Sequence, residues 1–118
     1  MYLYFNNRDE LLRLDVDRIV YFESDGNYTN VVMTNKLKNK VTCNLSMMET
    51  ILSKRLGEKS FGFMRIGKRF IVNLRFIQSI CIHKQQMVVS DCLHFAYQLP
   101  ISKEALKKVK DIIVNESR

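Results

Sequence analysis

The chain has 118 residues, enough for one packed domain and too few for a second independent core. Apolar residues make up 47% and charged residues 26%, with only 4 Gly and 1 Pro, which excludes disordered, collagen-like and low-complexity classes. The net charge of +7 is unevenly placed: residues 1–25 carry three basic and six acidic side chains, residues 26–118 sixteen and six. A surplus confined to the middle and end of the chain suits a face directed at a phosphate-rich partner, although solvated lysines alone produce the same total.

In chain order, Tyr2-Leu3-Tyr4-Phe5 reads as a strand that stops at the turn formers Asn6-Asn7. Leu11-Leu12-Arg13-Leu14 follows, and Asp15-Val16-Asp17 bends the chain into Arg18-Ile19-Val20-Tyr21-Phe22-Glu23, whose β-branched and aromatic content is that of a strand. Ser24-Asp25-Gly26-Asn27 is a turn, residues 28–34 a strand, residues 35–39 a second turn, and residues 40–43 a further strand. From Ser46 the period changes. Ser46 and Glu49 have capping-box spacing, and Met47, Met48, Ile51, Leu52 and Leu56 form one apolar stripe that ends at Gly57. This predicts a helix over 46–56 with both methionines in the core.

Strands resume at 63–66, 70–72 and 77–82. Residues 83–85 turn, 86–89 form a strand, 90–92 turn again, and 93–99 form the last strand, interrupted by Pro100. Beyond it Ala105, Leu106, Val109, Ile112 and Ile113 share a helical face over 102–114, with Ser102 as N-cap. The expected class is mainly β: eight to ten short antiparallel strands, one internal helix and one C-terminal helix, in a single domain over 1–118.

Chemical motifs are sparse. No GxxxxGK[ST], GxGxxG or HExxH occurs, and neither Ser24-Asp25 nor Ser90-Asp91 comes with a histidine partner for a triad, so no enzymatic activity and no cofactor are expected. Cys43, Cys81 and Cys92 are odd in number and lack a CxxC, which suits free thiols in a reducing cytoplasm. No secretory signal is legible, and no apolar run is long enough for a bilayer, so no membrane association is expected. Cys81-Ile82-His83 and Cys92-Leu93-His94 repeat a Cys-x-His spacing that fits no standard zinc module, and buried thiols with surface histidines are the simpler reading.

Four blocks then carry a resemblance. Residues 17–23 with Gly26-Asn27-Tyr28-Thr29, Asn44-Leu45-Ser46-Met47-Met48-Glu49, the stretch Phe63-Met64-Arg65-Ile66-Gly67-Lys68-Arg69-Phe70-Ile71-Val72-Asn73-Leu74, and Leu99-Pro100-Ile101-Ser102-Lys103 occur in the order seen in the LytTR family of bacterial DNA-binding domains. The third block resembles that family's Phe-x-Arg-x-His-[Arg/Lys]-Ser-aromatic-[Val/Ile]-Val-Asn, with Gly67 in place of the common His and Arg69 in place of the common Ser; Asp91-Cys92 replaces a more usual Asp-Gly. The resemblance implies an elongated fold of three small antiparallel sheets and sequence-specific binding of double-stranded DNA for transcription regulation. It also implies that loops, not a recognition helix, reach into successive major grooves. Carried over by position, the loops hold Asn27, Tyr28, Thr29 and Asn30; Gly67, Lys68 and Arg69; and Ser102 and Lys103.

The residue types suit that role, because Lys and Arg donate to guanine O6 and N7, Asn pairs with adenine, and a helix N-terminus offers N–H groups to phosphate. Residues 65–84 contain five basic side chains and no acidic one. Blander roles stand beside each: Gly26 and Asn27 as turn formers, Tyr28 as core, Arg65 in a structural ion pair as readily as on DNA, Asn73 as a backbone cap, and Lys107, Lys108 and Lys110 as a solvated helix face. Many family members carry a phosphorylated receiver domain in a two-component system, for which residues 1–14 leave no room. Two copies on repeated DNA sites are expected. The alternatives are a basic β domain docking an acidic protein or anionic surface, and an RNA-binding β domain. RNA readers display stacking aromatics on an open sheet, whereas the aromatics here alternate like a core.

Overall fold

In the computed structural model, which describes residues 1–116, the chain forms three antiparallel sheets and two α-helices. Strands β1 (Tyr2–Asn6) and β2 (Leu11–Asp15) make a hairpin, and a 3-10 turn at Val16–Arg18 leads into β3 (Ile19–Asp25), β4 (Tyr28–Met33) and β5 (Lys38–Val41). Helix α1 (Leu45–Leu56) and a 3-10 segment (Gly57–Gly62) precede β6 (Phe63–Ile66) and β7 (Phe70–Asn73). After a third 3-10 turn (Leu74–Phe76) come β8 (Ile77–Cys81), β9 (Gln86–Ser90), β10 (Ala96–Pro100) and helix α2 (Lys103–Glu116). The sheets are β1-β2, a central β5-β4-β3-β7-β6, and β10-β9-β8. The body measures 45 × 29 × 26 Å, the elongated three-sheet arrangement that the resemblance implied. Among the described residues no helix is long and apolar enough to cross a membrane.

The central sheet is covered on both faces, which explains why β7 (Phe70-Ile71-Val72-Asn73) is an unbroken buried run and not an alternating one. On one face Phe22, Val31, Met33 and Ile71 pack against Leu3 and Leu14 of the hairpin and Leu45, Met48, Leu52 and Leu56 of α1. On the other, Val20, Tyr21, Val32, Phe70 and Val72 meet Met87, Val89 and Leu99 of the third sheet and Leu106 and Val109 of α2. Strict alternation would put Ile19 and Tyr21 on one face. A bulge between them inserts Val20 without a partner on β4, so Val20 and Tyr21 both turn to the second core while Ile19 and Phe22 serve the first. Tyr21 joins the sheets edge-on to Phe70 (centroids 5.9 Å) and Tyr97 (5.6 Å). Burial, together with Glu23 and Tyr97 nearby, pushes its hydroxyl pKa up to about 12. Each fully buried aliphatic or aromatic side chain contributes roughly 1.5–3 kcal/mol.

Four local expectations are corrected. The N-cap of α1 is Asn44, whose Oδ1 accepts from the Met47 N–H at 2.8 Å, so Ser46 lies inside the helix and no capping box forms with Glu49. The helix does stop at Gly57, at φ 57°. Met47 is 54% exposed while Met48 is fully buried: adjacent residues lie about 100° apart on a helix, and only one can face the core. Strand β10 begins at Ala96, because residues 91–95 are tied into a loop by Asp91, and Leu93 is 85% exposed. Pro100 does not interrupt β10 but ends it, paired with Gln86, and is tolerated because β10 is an edge strand.

Candidate nucleic-acid interface

Antiparallel pairing of β3 with β7 (Glu23 opposite Phe70) places the end of β3 beside the start of β7. The β3–β4 turn at Gly26-Asn27 and the β6–β7 turn at residues 67–69 therefore emerge at the same end of the central sheet. Gly26 (φ 61°) and Gly67 (φ 67°) supply the left-handed backbone that each tight turn requires. The turns are joined directly, the Ser24 N–H donating to the Arg69 carbonyl at 2.8 Å. Helix α2 brings the third segment alongside. Leu106 and Val109 bury it against the second core, Ser102 Oγ accepts from the Ala105 N–H (3.3 Å), and a Cβ placed on Gly67 would meet Ala105 Cβ at 3.8 Å. Between α2 and the 67–69 turn runs a groove of about 830 Å³, with Arg65, Lys68, Arg69, Ser102, Glu104 and Lys108 among its walls.

The structure divides the residues singled out from the sequence. Asn27 and Tyr28 are exposed, Tyr28 by 43%, so the core role for Tyr28 does not hold; its ring lies 5.3 Å from Lys40 Nζ. Thr29 is fully buried with its hydroxyl donating to the Cys43 carbonyl at 2.8 Å, and Asn30, 9% exposed, reaches the Asp25 carboxylate at 3.4 Å. These two side chains shape the hairpin and are not presented at its surface. Thr29 and Asn30 belong to β4, between β3 and β5, and as neighbours on a strand they point to opposite faces; both are buried because both faces of the sheet are covered, where the sequence reading had them in the loop.

The two arginines differ in a way that can be counted. Arg65 spends all three nitrogens on the protein: Nη1 on Glu49 Oε1 (2.6 Å), Nη2 on the Lys68 carbonyl (3.1 Å) and Nε on the Gly67 carbonyl (3.3 Å). It is the brace of the 67–69 turn. Among the described residues Arg69 makes one side-chain hydrogen bond, from Nη2 to Glu23 Oε2 (2.7 Å), and its side chain remains 57% exposed. Among the described residues neither Lys68 nor Lys103 has an ion-pair partner, and both are exposed. Asn73 is a cap and structural tie, its Oδ1 accepting from the Arg75 N–H and its Nδ2 donating to the Ile19 carbonyl.

Sequence reasoning missed Lys40 and the two carboxylates Glu23 and Glu49. Lys40 sits opposite Asn30 across β4–β5 and pairs with Asp25 at 3.1 Å; its hydrogen bond and charge hold the Asp25 carboxyl below its ordinary pKa, with Asn30 assisting. Strand register alone brings these together. Lys108, read as part of a solvated face, lines the groove; its spacing of three from Ala105 was the available signal.

The expectation of buried thiols in the two Cys-x-His pairs is corrected, since Cys81 is half-buried and Cys92 exposed, and the second pair has other partners. Cys92 Sγ contacts Gln78 Oε1 (3.2 Å), and His94 Nδ1 lies 2.8 Å from Asp91 Oδ2. Among the described residues no three Cys, His, Asp or Glu side chains gather as a metal site.

Comparison with known proteins agrees with this architecture. Residues 9–114 match the family described as the LytTr DNA-binding domain. No curated protein matches the sequence. Among solved structures, the LytTr DNA-binding domain of a Bacillus cereus protein described as a methyl-accepting/DNA response regulator superposes with a TM-score of 0.68 over 95% of both chains, at 19% sequence identity, a likeness of fold. With the family match running over almost its whole length, this chain belongs to the LytTR family of DNA-binding domains.

Proposed function

We propose that this domain binds double-stranded DNA in a sequence-specific manner to regulate transcription, using the three loops at one end of its central sheet. The observation that carries the reading is their convergence: turns from residues 26–28 and 67–69 and the start of α2 meet at one end, bearing exposed Lys68, Arg69 and Lys103. Lys68 and Lys103, without an ion-pair partner among the described residues, engage phosphates and the acceptor edges of guanines, and the first N–H groups of α2 beside Ser102 face a phosphate. Asn27 and Tyr28 extend the contact on the far side of the 67–69 turn. Gly67 lets the backbone approach the duplex, and Arg65 holds that turn in shape. Thr29 and Asn30 support the first loop from within.

Duplex DNA is favoured over single-stranded RNA because both faces of the five-stranded sheet are covered, so among the described residues that sheet offers no open aromatic platform on which bases could stack. Loop insertion into successive major grooves and occupancy of repeated sites by two copies complete the proposal. The test is selection of sites from a random duplex pool, then titration of the enriched site against a scrambled duplex for wild type, Lys68→Ala/Arg69→Ala and Lys103→Ala. Recovery of a motif, with binding lost in the loop variants, supports the reading. Equal, weak binding to every duplex would overturn it and leave a basic surface for an acidic partner.

A further inference from the structure

We infer that Arg69 specifies a guanine in the recognised DNA and that Glu23 is the positioning residue that aims it. The inference rests on the DNA-binding reading above and assigns it one base contact and one supporting carboxylate.

Arg69 is constrained at three points. Its carbonyl accepts from the Ser24 N–H at 2.8 Å, fixing the backbone of the turn against β3. Its guanidinium carbon lies over the Phe70 ring, 5.3 Å from the centroid, and Phe70 is buried in the second core, so the group sits on an immobile side chain. Its Nη2 donates to Glu23 at 2.7 Å, and the Glu23 side chain is only 21% exposed, held on β3 between β4 and β7. A guanidinium has five N–H donors in a planar fork, and this arrangement consumes one. The remaining donors belong to a side chain that is 57% exposed and tethered at one corner, and a tethered planar fork with free donors is what a bidentate contact to guanine O6 and N7 requires. Arg65, with every nitrogen engaged by the protein, meets no such requirement.

Glu23 has a second effect of opposite sign. A carboxylate close to a phosphate-binding face weakens attraction to every duplex alike, so its presence lowers non-specific affinity. By restricting Arg69 to one orientation it favours the duplex that offers the matching acceptors. General electrostatics and positioning are therefore separable: neutralising Glu23 raises binding to scrambled DNA and lowers discrimination at the guanine.

The experiment uses the 118-residue chain with the duplex selected by wild type, that duplex with each G·C pair replaced in turn, and a scrambled duplex. Wild type, Arg69→Ala, Arg69→Lys and the near-isosteric Glu23→Gln are titrated, and circular dichroism checks that each is folded. Wild type is expected to prefer G·C at one position by on the order of ten- to a hundredfold. Arg69→Ala and Arg69→Lys should lose that preference while other positions keep theirs, because lysine cannot reproduce the planar fork. Glu23→Gln should lose most of the same preference while binding the scrambled duplex as well as wild type or better. Unchanged preferences in Arg69→Ala would overturn the base contact. A uniform change for Glu23→Gln on all duplexes would overturn its positioning role. Failure of wild type to select any motif would fail the DNA-binding reading itself, and this inference with it, an outcome distinct from the other two.

Discussion

If Lys68 and Lys103 engage phosphates and Arg65 only braces the turn, the three residues must differ in how they affect the salt dependence of binding. Each phosphate contact releases condensed counterions, so log K falls with log salt by about 0.9 per contact on duplex DNA. Between about 50 and 200 mM salt, one contact is therefore worth about a 3.5-fold loss of affinity and two about twelvefold. Lys68→Ala/Lys103→Ala should bind more weakly than wild type at low salt, with a slope shallower by about 1.8, so the gap narrows as salt rises. Arg65→Ala should leave the slope within error of wild type while lowering stability by roughly 1 kcal/mol, because it removes a 2.6 Å ion pair with a partly exposed carboxylate and two hydrogen bonds to the turn. Fluorescence anisotropy across a salt series gives the slopes, and urea unfolding gives the stabilities. A double lysine variant with the wild-type slope, or an Arg65 variant with a slope reduced by one, would refute the assignment drawn from their ion-pairing.

Other consequences concern the frame that carries the loops. Leu106 is fully buried and anchors α2 beside the 67–69 turn, so Leu106→Ala should cost roughly 2–5 kcal/mol in urea unfolding, a smaller loss showing that α2 docks loosely. Burial alone would raise the Asp91 carboxyl pKa, but backbone N–H groups of His94, Leu93 and Phe95 and the His94 ring outweigh it and hold the group well below its ordinary 3.8. Its folded pKa is depressed, so its contribution to stability is present above pH 4 and lost as pH falls below that. Acid titration of unfolding should show a smaller drop for Asp91→Asn than for wild type in that range, and parallel curves would contradict the assignment. Cys92 adopts φ 66°, a left-handed backbone that strains a side chain, so Cys92→Gly should raise stability by up to about 1 kcal/mol, measured by thermal unfolding; a loss would show that the thiol contact to Gln78 outweighs the strain.

Whatever depends on residues close together in the chain was legible before the fold. Alternation and β-branched runs marked most of the strands, and Gly57 and Ser102 marked one end of each helix. The charge asymmetry pointed away from residues 1–25 to the part of the chain that bears the basic loop residues, and Cys92 in place of Gly marked a turn that indeed takes a positive φ. The cap of α1 was misplaced by two residues because Asn44 and Ser46 are both competent caps, and helix phase decides between them only once Leu45 and Met48 have a core to enter. The roles of the basic residues needed tertiary structure. Arg65 and Arg69 are equivalent as letters; one is spent on Glu49, 16 residues away, and the other pairs with Glu23, 46 residues away. Thr29 entered the interior and Lys40 the surface because of strand phase and the register of β4 with β5. Periodicity is a property of one segment, so a sequence displays it. Which carboxylate meets which guanidinium depends on strands adjacent in space and remote in the chain, and only the assembled sheet brings them within hydrogen-bonding distance.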